Sequence, residues 1–160
     1  MSKSLKRVIN ALSTHGIDAE IREMADETKT AVQAANALGC DVDQIAKSVI
    51  FADASNPQEL FLFITAGSNR VDPEKSARHA GRGLAQADGS AIRRITGFAI
   101  GGVSPVGHVT PINAFLDSRL LEFDLVWAAA GTPRHVFSIK PVVLKIISRA
   151  QIIDFTVLKK

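Results

Sequence analysis

Residues 96–108 read TGFAIGGVSPVGH, and this stretch decides how the rest of the chain can be arranged. Its apolar run, residues 98–100, is typical of a buried strand. Two glycines and a nearby proline cannot continue an ordinary strand, so the chain must turn there. Glycines let a backbone or a ligand come close, and free amides in such a loop can bind an anion or a developing oxyanion. On these residues alone, a tight turn without chemistry is the commoner structure.

Length and composition favour one globular domain that spans residues 1–160. Hydrophobic residues make up 46% of the chain and charged residues 22%, which is ordinary for a globular protein. The net charge of +3 is compatible with an anionic partner such as RNA. We find neither an apolar run of about 20 residues nor a secretory leader, and one cysteine fits a reducing compartment. We therefore expect a cytoplasmic protein that does not enter a membrane.

Local signals predict the first helices and strands. A first helix ends at Gly16, and Thr30-x-x-Gln33 resembles the capping box that begins a second. Lys47 opens a strand, and the continuous apolar run at residues 60–66 predicts a central strand buried on both faces. Asp72 followed by proline predicts the start of another helix.

The second half of the chain continues this mixture of helices and strands. Residues 125–130 and 135–139 predict a hairpin, and a last helix begins at Pro141. Helices do not alternate strictly with strands, and short turns join several strands. The pattern predicts an α+β domain with a mixed, largely antiparallel sheet flanked by helices.

Four motifs occur in order: Lys47 within IAKSVIF, TAGSNRVD at residues 65–72, Gly101-x-x-x-Pro105 within the glycine-rich stretch, and WAAAGTPRHVF at residues 127–137. Together they resemble the YbaK/ProX aminoacyl-tRNA deacylase family, which includes the editing domain inserted in bacterial prolyl-tRNA synthetases. The resemblance runs from about residue 30 to the C-terminus. It implies a compact mixed sheet that is curled toward a barrel.

The resemblance also implies a reaction, the hydrolysis of the aminoacyl ester on a mischarged tRNA. We expect a small non-cognate amino acid on tRNA(Pro), with the acceptor end of the tRNA as partner and prolyl-tRNA synthetase as a second candidate partner. Positioning a water and stabilising the oxyanion can suffice for this activated ester. The expected catalytic residues are Lys47, Gly101, Gly102, Val103 and Ser104. The expected substrate-binding residues are Phe51, Asn69, Arg70, Phe98, Pro105, Gly107, Gly131 and His135.

The role of Lys47 has two interpretations. From the sequence alone, it is an edge lysine whose ammonium group reaches solvent. The resemblance instead implies a functional lysine, which would bind the 3′-terminal phosphate or polarise a carbonyl. The sequence leaves these two roles open.

Two other functions compete with editing. Ser104 could serve as a nucleophile with His108 and either Asp72 or Asp117. However, Gly-Val-Ser-Pro-Val is not a nucleophile elbow, and proline removes the amide that an elbow uses. A protein that binds a tRNA end or a nucleotide without hydrolysis is the alternative that we rank second.

The histidines are spread along the chain without the spacing of metal ligands, and the single cysteine is distant from them. We therefore expect no metal and no cofactor. His135 follows the turn at Gly131 and is the histidine that we expect to line the site.

Overall fold

The computed structural model describes residues 1–159, and its helices and strands are mixed along the chain. They are, in order, α1 (Lys3–Thr14), β1 (Ile21–Glu23), α2 (Ala31–Leu38), β2 (Ala46–Asp53), β3 (Asn56–Ala66), α3 (Pro73–Ala80), β4 (Leu84–Gln86), α4 (Gly89–Thr96), β5 (Asn113–Leu116), β6 (Val126–Thr132), β7 (His135–Ile139), α5 (Pro141–Ser148) and β8 (Gln151–Ile152). Short 3₁₀ turns at Val42–Gln44 and Ser118–Glu122 precede β2 and follow β5.

The helix starts that the sequence predicts are confirmed by their caps. The Thr30 side chain accepts a hydrogen bond from the backbone N–H of Gln33 at the start of α2. Asp72 accepts from the amides of Glu74 and Lys75 at the start of α3, where proline occupies the first turn. Such caps satisfy backbone donors that have no partner inside the helix.

The strands form two sheets. The larger one has the order β4-β2-β3-β5-β8, with antiparallel pairs around β2 and parallel pairs on both sides of β5. The smaller one has the order β1-β7-β6 and is antiparallel. The predicted α+β class and the mixed, largely antiparallel pairing are therefore confirmed.

The predicted curl toward a barrel is wrong. Among the described residues neither sheet closes on itself, and a single parallel bridge between Ile45 and Trp127 links one sheet to the other. Beyond this bridge β2 and β6 are not paired, so the ladder that a barrel needs is interrupted.

Residues 98–100 do not form the predicted strand. Gly97, with φ of 85°, ends α4, and the amide of Phe98 donates to the Thr96 hydroxyl. The amide of Gly102 then donates to the carbonyl of Ala99 at 3.0 Å, which closes a turn. These local bonds use the backbone groups that a ladder would need, although Phe98 is fully buried as an apolar strand residue would be.

Strand β3 is the centre of the hydrophobic core. One of its faces places Leu62 and Ile64 in the main core. The other places Phe61 and Phe63 against Phe115 and Phe155. The ring of Phe63 lies 5.1 Å from each of the latter two, once stacked and once edge-on. A continuous apolar sequence is needed because both faces of this strand are buried.

No helix among residues 1–159 combines the length and the apolar character needed to cross a membrane.

Truncation of the central phenylalanine should destabilise the fold strongly. We expect Phe63→Ala to lower the free energy of unfolding by about 3–5 kcal/mol, because it removes a fully buried ring and leaves a cavity. Urea denaturation would measure this change. Ile146→Ala, at a position with 64% exposure on α5, is the control and should change stability by no more than about 0.5 kcal/mol. Equal effects of the two substitutions would contradict the assignment of the core.

Candidate active site

An open strand edge borders a cavity that lies between the two sheets. Strand β4 pairs with β2 only at residues 51–53, so residues 46–50 have no neighbour on that side. A cavity of about 400 Å³ lies along this free edge and is bounded on the far side by β6. Consecutive residues of β2 border it, as expected where the edge of a strand faces open space. Its wall is completed by the N-terminal part of α2, by residues of the glycine-rich loop, and by the turn between β6 and β7.

Lys47 borders this cavity and is half-buried. Its ammonium group donates to the carbonyl oxygen of Gly67 at 3.1 Å. Burial lowers the pKa of Lys47 below its ordinary value, and the charge of Arg70 lowers it further, whereas Asp43 and Asp117 oppose the shift. A lysine with little hydration interacts more strongly with an anion or a polarised carbonyl than one in bulk water.

The carbonyl that holds Lys47 lies in a short segment fixed by a buried carboxylate. Asp43 accepts hydrogen bonds from the amide of Ser68 at 2.8 Å and from its hydroxyl, and Arg119 donates to the other carboxylate oxygen at 3.1 Å. Gly67 itself is in contact with the carbonyl of Val42, which leaves no room for a Cβ. This packing fixes the position of the Gly67 carbonyl.

A second buried carboxylate holds the same segment from the other side. Asp117 accepts from the amide of Ala66 at 3.0 Å, from the side chain of Asn69 at 2.8 Å and from the amide of Arg119 at 3.0 Å. We call Asp43 and Asp117 the carboxylate clamp. Neither aspartate was predicted to hold this segment, although the position of Asp117 directly after an apolar strand was a signal for such a role.

The glycine-rich loop contributes Gly101 and Val103 to the cavity wall. Gly101 has φ of 92°, a value that glycine tolerates and that the turn at residues 99–102 requires. Among residues 1–159, the amides of Gly101 and Val103 have no hydrogen-bond partner in the protein. The amide of Gly102 is used inside the turn. The protein itself therefore leaves the amides of two residues of the cavity wall unpaired.

Gly102 serves the packing of the loop. A Cβ at this position would lie 2.9 Å from backbone atoms of Thr132. The loop therefore lies directly on β6, and this contact brings Gly101 and Val103 to the cavity.

Ser104 and His108 do not have the arrangement of a nucleophile and its base. Ser104 is fully buried, and its hydroxyl accepts from the amide of Val106 at 3.1 Å. His108 places Nε2 at 2.6 Å from the carbonyl oxygen of Ser104, so this nitrogen carries the proton. Burial lowers the pKa of His108, which keeps the ring neutral. Asp72 caps α3 and Asp117 belongs to the clamp, so neither completes a triad.

His135, the first residue of β7, borders the cavity. Its Nδ1 lies 2.7 Å from the hydroxyl of Thr132, and its Nε2 lies 3.9 Å from a carboxylate oxygen of Glu23. These two contacts fix the orientation of the ring.

The sequence-predicted residues thus fall into two groups. Four of them border the cavity together: Lys47, Gly101, Val103 and His135. The others lie outside its wall. Five of these are buried, namely Phe98, Gly102, Ser104, Pro105 and Gly131. Gly107 packs against α1, and Phe51 packs on Phe63. Asn69 is bound to the clamp, and Arg70 is exposed.

Comparison with known proteins identifies the class. The family model described as "Aminoacyl-tRNA editing domain" matches residues 25–146, a range that holds the clamp, Lys47 and the glycine-rich loop. The chain belongs to this family.

Two solved structures and one curated sequence show the similarity in detail. A protein described as a "putative trans-editing enzyme for prolyl tRNA synthetase" is 43% identical, with a TM-score of 0.90 over 99% of both chains. A structure from work on epitope backbone grafting by computational design is 41% identical, with a TM-score of 0.90 over 99% of this chain and 100% of the other. The uncharacterized protein YwhH of Bacillus subtilis (strain 168) is 28% identical over 138 residues, 86% of this chain and 87% of its own.

The contact between Gly102 and Thr132 leads to a first test at the site. Gly102→Ala should lower the free energy of unfolding by about 1–3 kcal/mol, because its methyl group has no space against the backbone of β6. Thermal or urea unfolding would measure it. Gly83→Ala is the matched control, since its methyl group would meet only the Cβ of Ala54, at 3.8 Å. If both variants were equally stable, the close approach of loop and strand would be refuted.

The carboxylate clamp should make the free energy of unfolding depend on pH in the acid range. Burial acts to raise the pKa of Asp43, but hydrogen bonds from Ser68 and Arg119 outweigh it, and the pKa lies below its ordinary value. The carboxylate therefore contributes stability above about pH 4, and this contribution is lost as the pH falls further. We expect Asp43→Asn to cost about 1.5–3 kcal/mol at pH 7, and the difference from wild type to shrink toward pH 2.

Unfolding in urea between pH 2 and 7 would measure the difference. Asp124→Asn, at an exposed aspartate, is the control and should show no such difference. A difference between wild type and Asp43→Asn that stays constant with pH would contradict a role for the charged carboxylate.

Proposed function

We propose that this protein is a trans-editing aminoacyl-tRNA deacylase that removes a small non-cognate amino acid from tRNA(Pro). The observation that carries the proposal is the convergence of Lys47 and two free loop amides on one cavity, in a chain of the editing-domain family. The similarity to the protein described as a trans-editing candidate for prolyl-tRNA synthetase supports this choice of tRNA. Such a role would place the protein in the cytoplasm, where tRNA is charged.

The chemistry requires few groups. Water attacks the ester carbonyl, and the C–O bond to the ribose breaks after a tetrahedral intermediate. The proton of the water goes to the ribose oxygen, and the neighbouring hydroxyl of the substrate can assist this transfer. The amides of Gly101 and Val103 would stabilise the oxyanion, and Lys47 would bind the terminal phosphate or the acyl carbonyl. Because the ester is already reactive, positioning and electrostatic stabilisation can supply the acceleration.

Selectivity would come from the size of the cavity. Small acyl groups would enter between β2 and β6, and a larger cognate residue would be excluded, as in the second step of a double sieve. The acceptor end of the tRNA would lie across the opening near Arg70 and Lys47. Prolyl-tRNA synthetase is the partner that we propose to deliver or retain the tRNA.

The burial of Ser104 and the protonation of His108 at Nε2 are evidence against the serine-hydrolase alternative. Binding of a tRNA end without hydrolysis is the remaining alternative. Deacylation by wild type and by Lys47→Ala distinguishes it from editing.

The test is deacylation of tRNA(Pro) charged in turn with alanine, serine, cysteine or proline. We expect selective release of one non-cognate amino acid, and we expect Lys47→Ala to lower the rate by about 10²–10³-fold, because it removes a charge at the reacting ester. The stability of Lys47→Ala should fall by no more than about 1 kcal/mol, since the lysine is partly desolvated and makes one hydrogen bond.

Lys140→Ala is the matched control, because Lys140 is exposed and its side chain makes no capping bond to α5. It should deacylate at the wild-type rate. Retention of tRNA without any release would favour the binding alternative. Equal hydrolysis by wild type and Lys47→Ala would remove Lys47 from the mechanism.

A further inference from the structure

Ser48 lies in the middle of the free edge of β2 and borders the cavity. Its hydroxyl oxygen is shielded from solvent and has no hydrogen-bond partner among residues 1–159. The other side-chain oxygen found in this state is that of Ser76, on the buried side of α3 and outside the cavity wall. Both serines therefore carry the free-energy cost of an unpaired buried hydroxyl. Only Ser48 borders a cavity that a ligand could enter.

A buried hydroxyl without a partner is unfavourable, because its lost hydrogen bonds to water are not replaced, so it calls for a physical explanation. Ser48 as a whole is partly exposed, although its hydroxyl oxygen is buried. Rotation about the Cα–Cβ bond moves the oxygen between staggered positions. Because no hydrogen bond has to be broken, the hydroxyl can rotate to bind a ligand in the cavity at little cost in free energy.

The surroundings of Ser48 select the kind of group that can bind there. Ala46 and Ile50 share its face of β2 by the alternation of the strand, and both belong to an apolar cluster that includes Ile92, Val103 and Ala128. These five residues also border the cavity. A single hydroxyl in such surroundings cannot compensate the desolvation of a charged group, but it can pair with one uncharged oxygen.

We propose that Ser48 determines specificity by hydrogen-bonding an uncharged oxygen of the aminoacyl group, either its ester carbonyl or a hydroxyl on its side chain. This inference rests on the proposed function. The hydroxyl turns into the cavity when the acyl group enters along the free edge of β2. Lys47, the preceding residue, borders the same cavity.

The decisive experiment compares Ser48→Ala with Ser76→Ala. Both changes remove an unpaired buried hydroxyl, so both should leave the free energy of unfolding unchanged or raise it. Only Ser48→Ala should lower kcat/KM for deacylation, by about tenfold or more, which corresponds to about 1.4 kcal/mol. A fall with every aminoacyl-tRNA(Pro) would identify the ester carbonyl as the partner. A fall with the seryl ester alone would identify the side-chain hydroxyl.

A binding measurement separates this inference from the proposed function. The probes are 3′-deoxy-3′-(alanylamino)adenosine and its serylamino counterpart, whose amide bond resists hydrolysis. Calorimetry should show a Kd that is about tenfold weaker for Ser48→Ala and unchanged for Ser76→Ala. If wild type binds a probe in this way but deacylates no ester, the proposed function fails and the role of Ser48 stands.

Unchanged kcat/KM and unchanged Kd in Ser48→Ala would overturn the inference while leaving the editing function intact. The absence of both deacylation and probe binding in wild type would overturn the two together. Should Ser48→Ala fold poorly, Ser48→Cys keeps the shape of the side chain with a much weaker hydrogen-bonding group, and the same losses are expected.

Discussion

The hydrogen bonds between two buried carboxylates and the end of β3 are the constraint on which the site depends. Asp43 and Asp117 bind backbone amides on both sides of Gly67, and its carbonyl then holds the ammonium group of Lys47. A buried carboxylate must be satisfied by several donors, so this part of the chain has little freedom. The position of a flexible lysine side chain is thereby set by a rigid piece of main chain.

The free edge of β2 is the second constraint. A strand edge is ordinarily covered or blocked, because unpaired backbone groups attract other strands. In this protein the short β4 covers only the C-terminal part of β2, and the single bridge at Ile45 closes its N-terminal end. The space between is bounded by β6 and by the glycine-rich loop, which lies on Thr132. The cavity is therefore a gap between two sheets that meet at one point and then separate.

The sequence predicted much of the fold because its signals were local. The capped starts of α2 and α3, at Thr30 and Asp72, and the apolar run of β3 depend on neighbouring residues. Residues 98–100 were wrongly predicted as a strand because burial and apolar character suit a buried loop as well. The barrel was implied by resemblance and not by residues, and strand order depends on contacts that are distant in sequence.

The site was predicted less completely than the fold. Lys47, Gly101, Val103 and His135 were named from motifs, and they meet at the cavity. The role of the carboxylate clamp was missed although Asp117 directly follows an apolar strand. The unpaired hydroxyl of Ser48 was missed because a buried polar group on a strand cannot be recognised until its surroundings are known.

The position of Trp127 has a spectroscopic consequence. It is the single tryptophan of a chain that has no tyrosine, it borders the cavity, and the guanidinium of Arg22 lies 4.8 Å from its ring centre. Light absorbed near 295 nm therefore excites one indole, in the wall where an acyl group would enter. Changes in its emission would report the filling of the cavity directly, without a label.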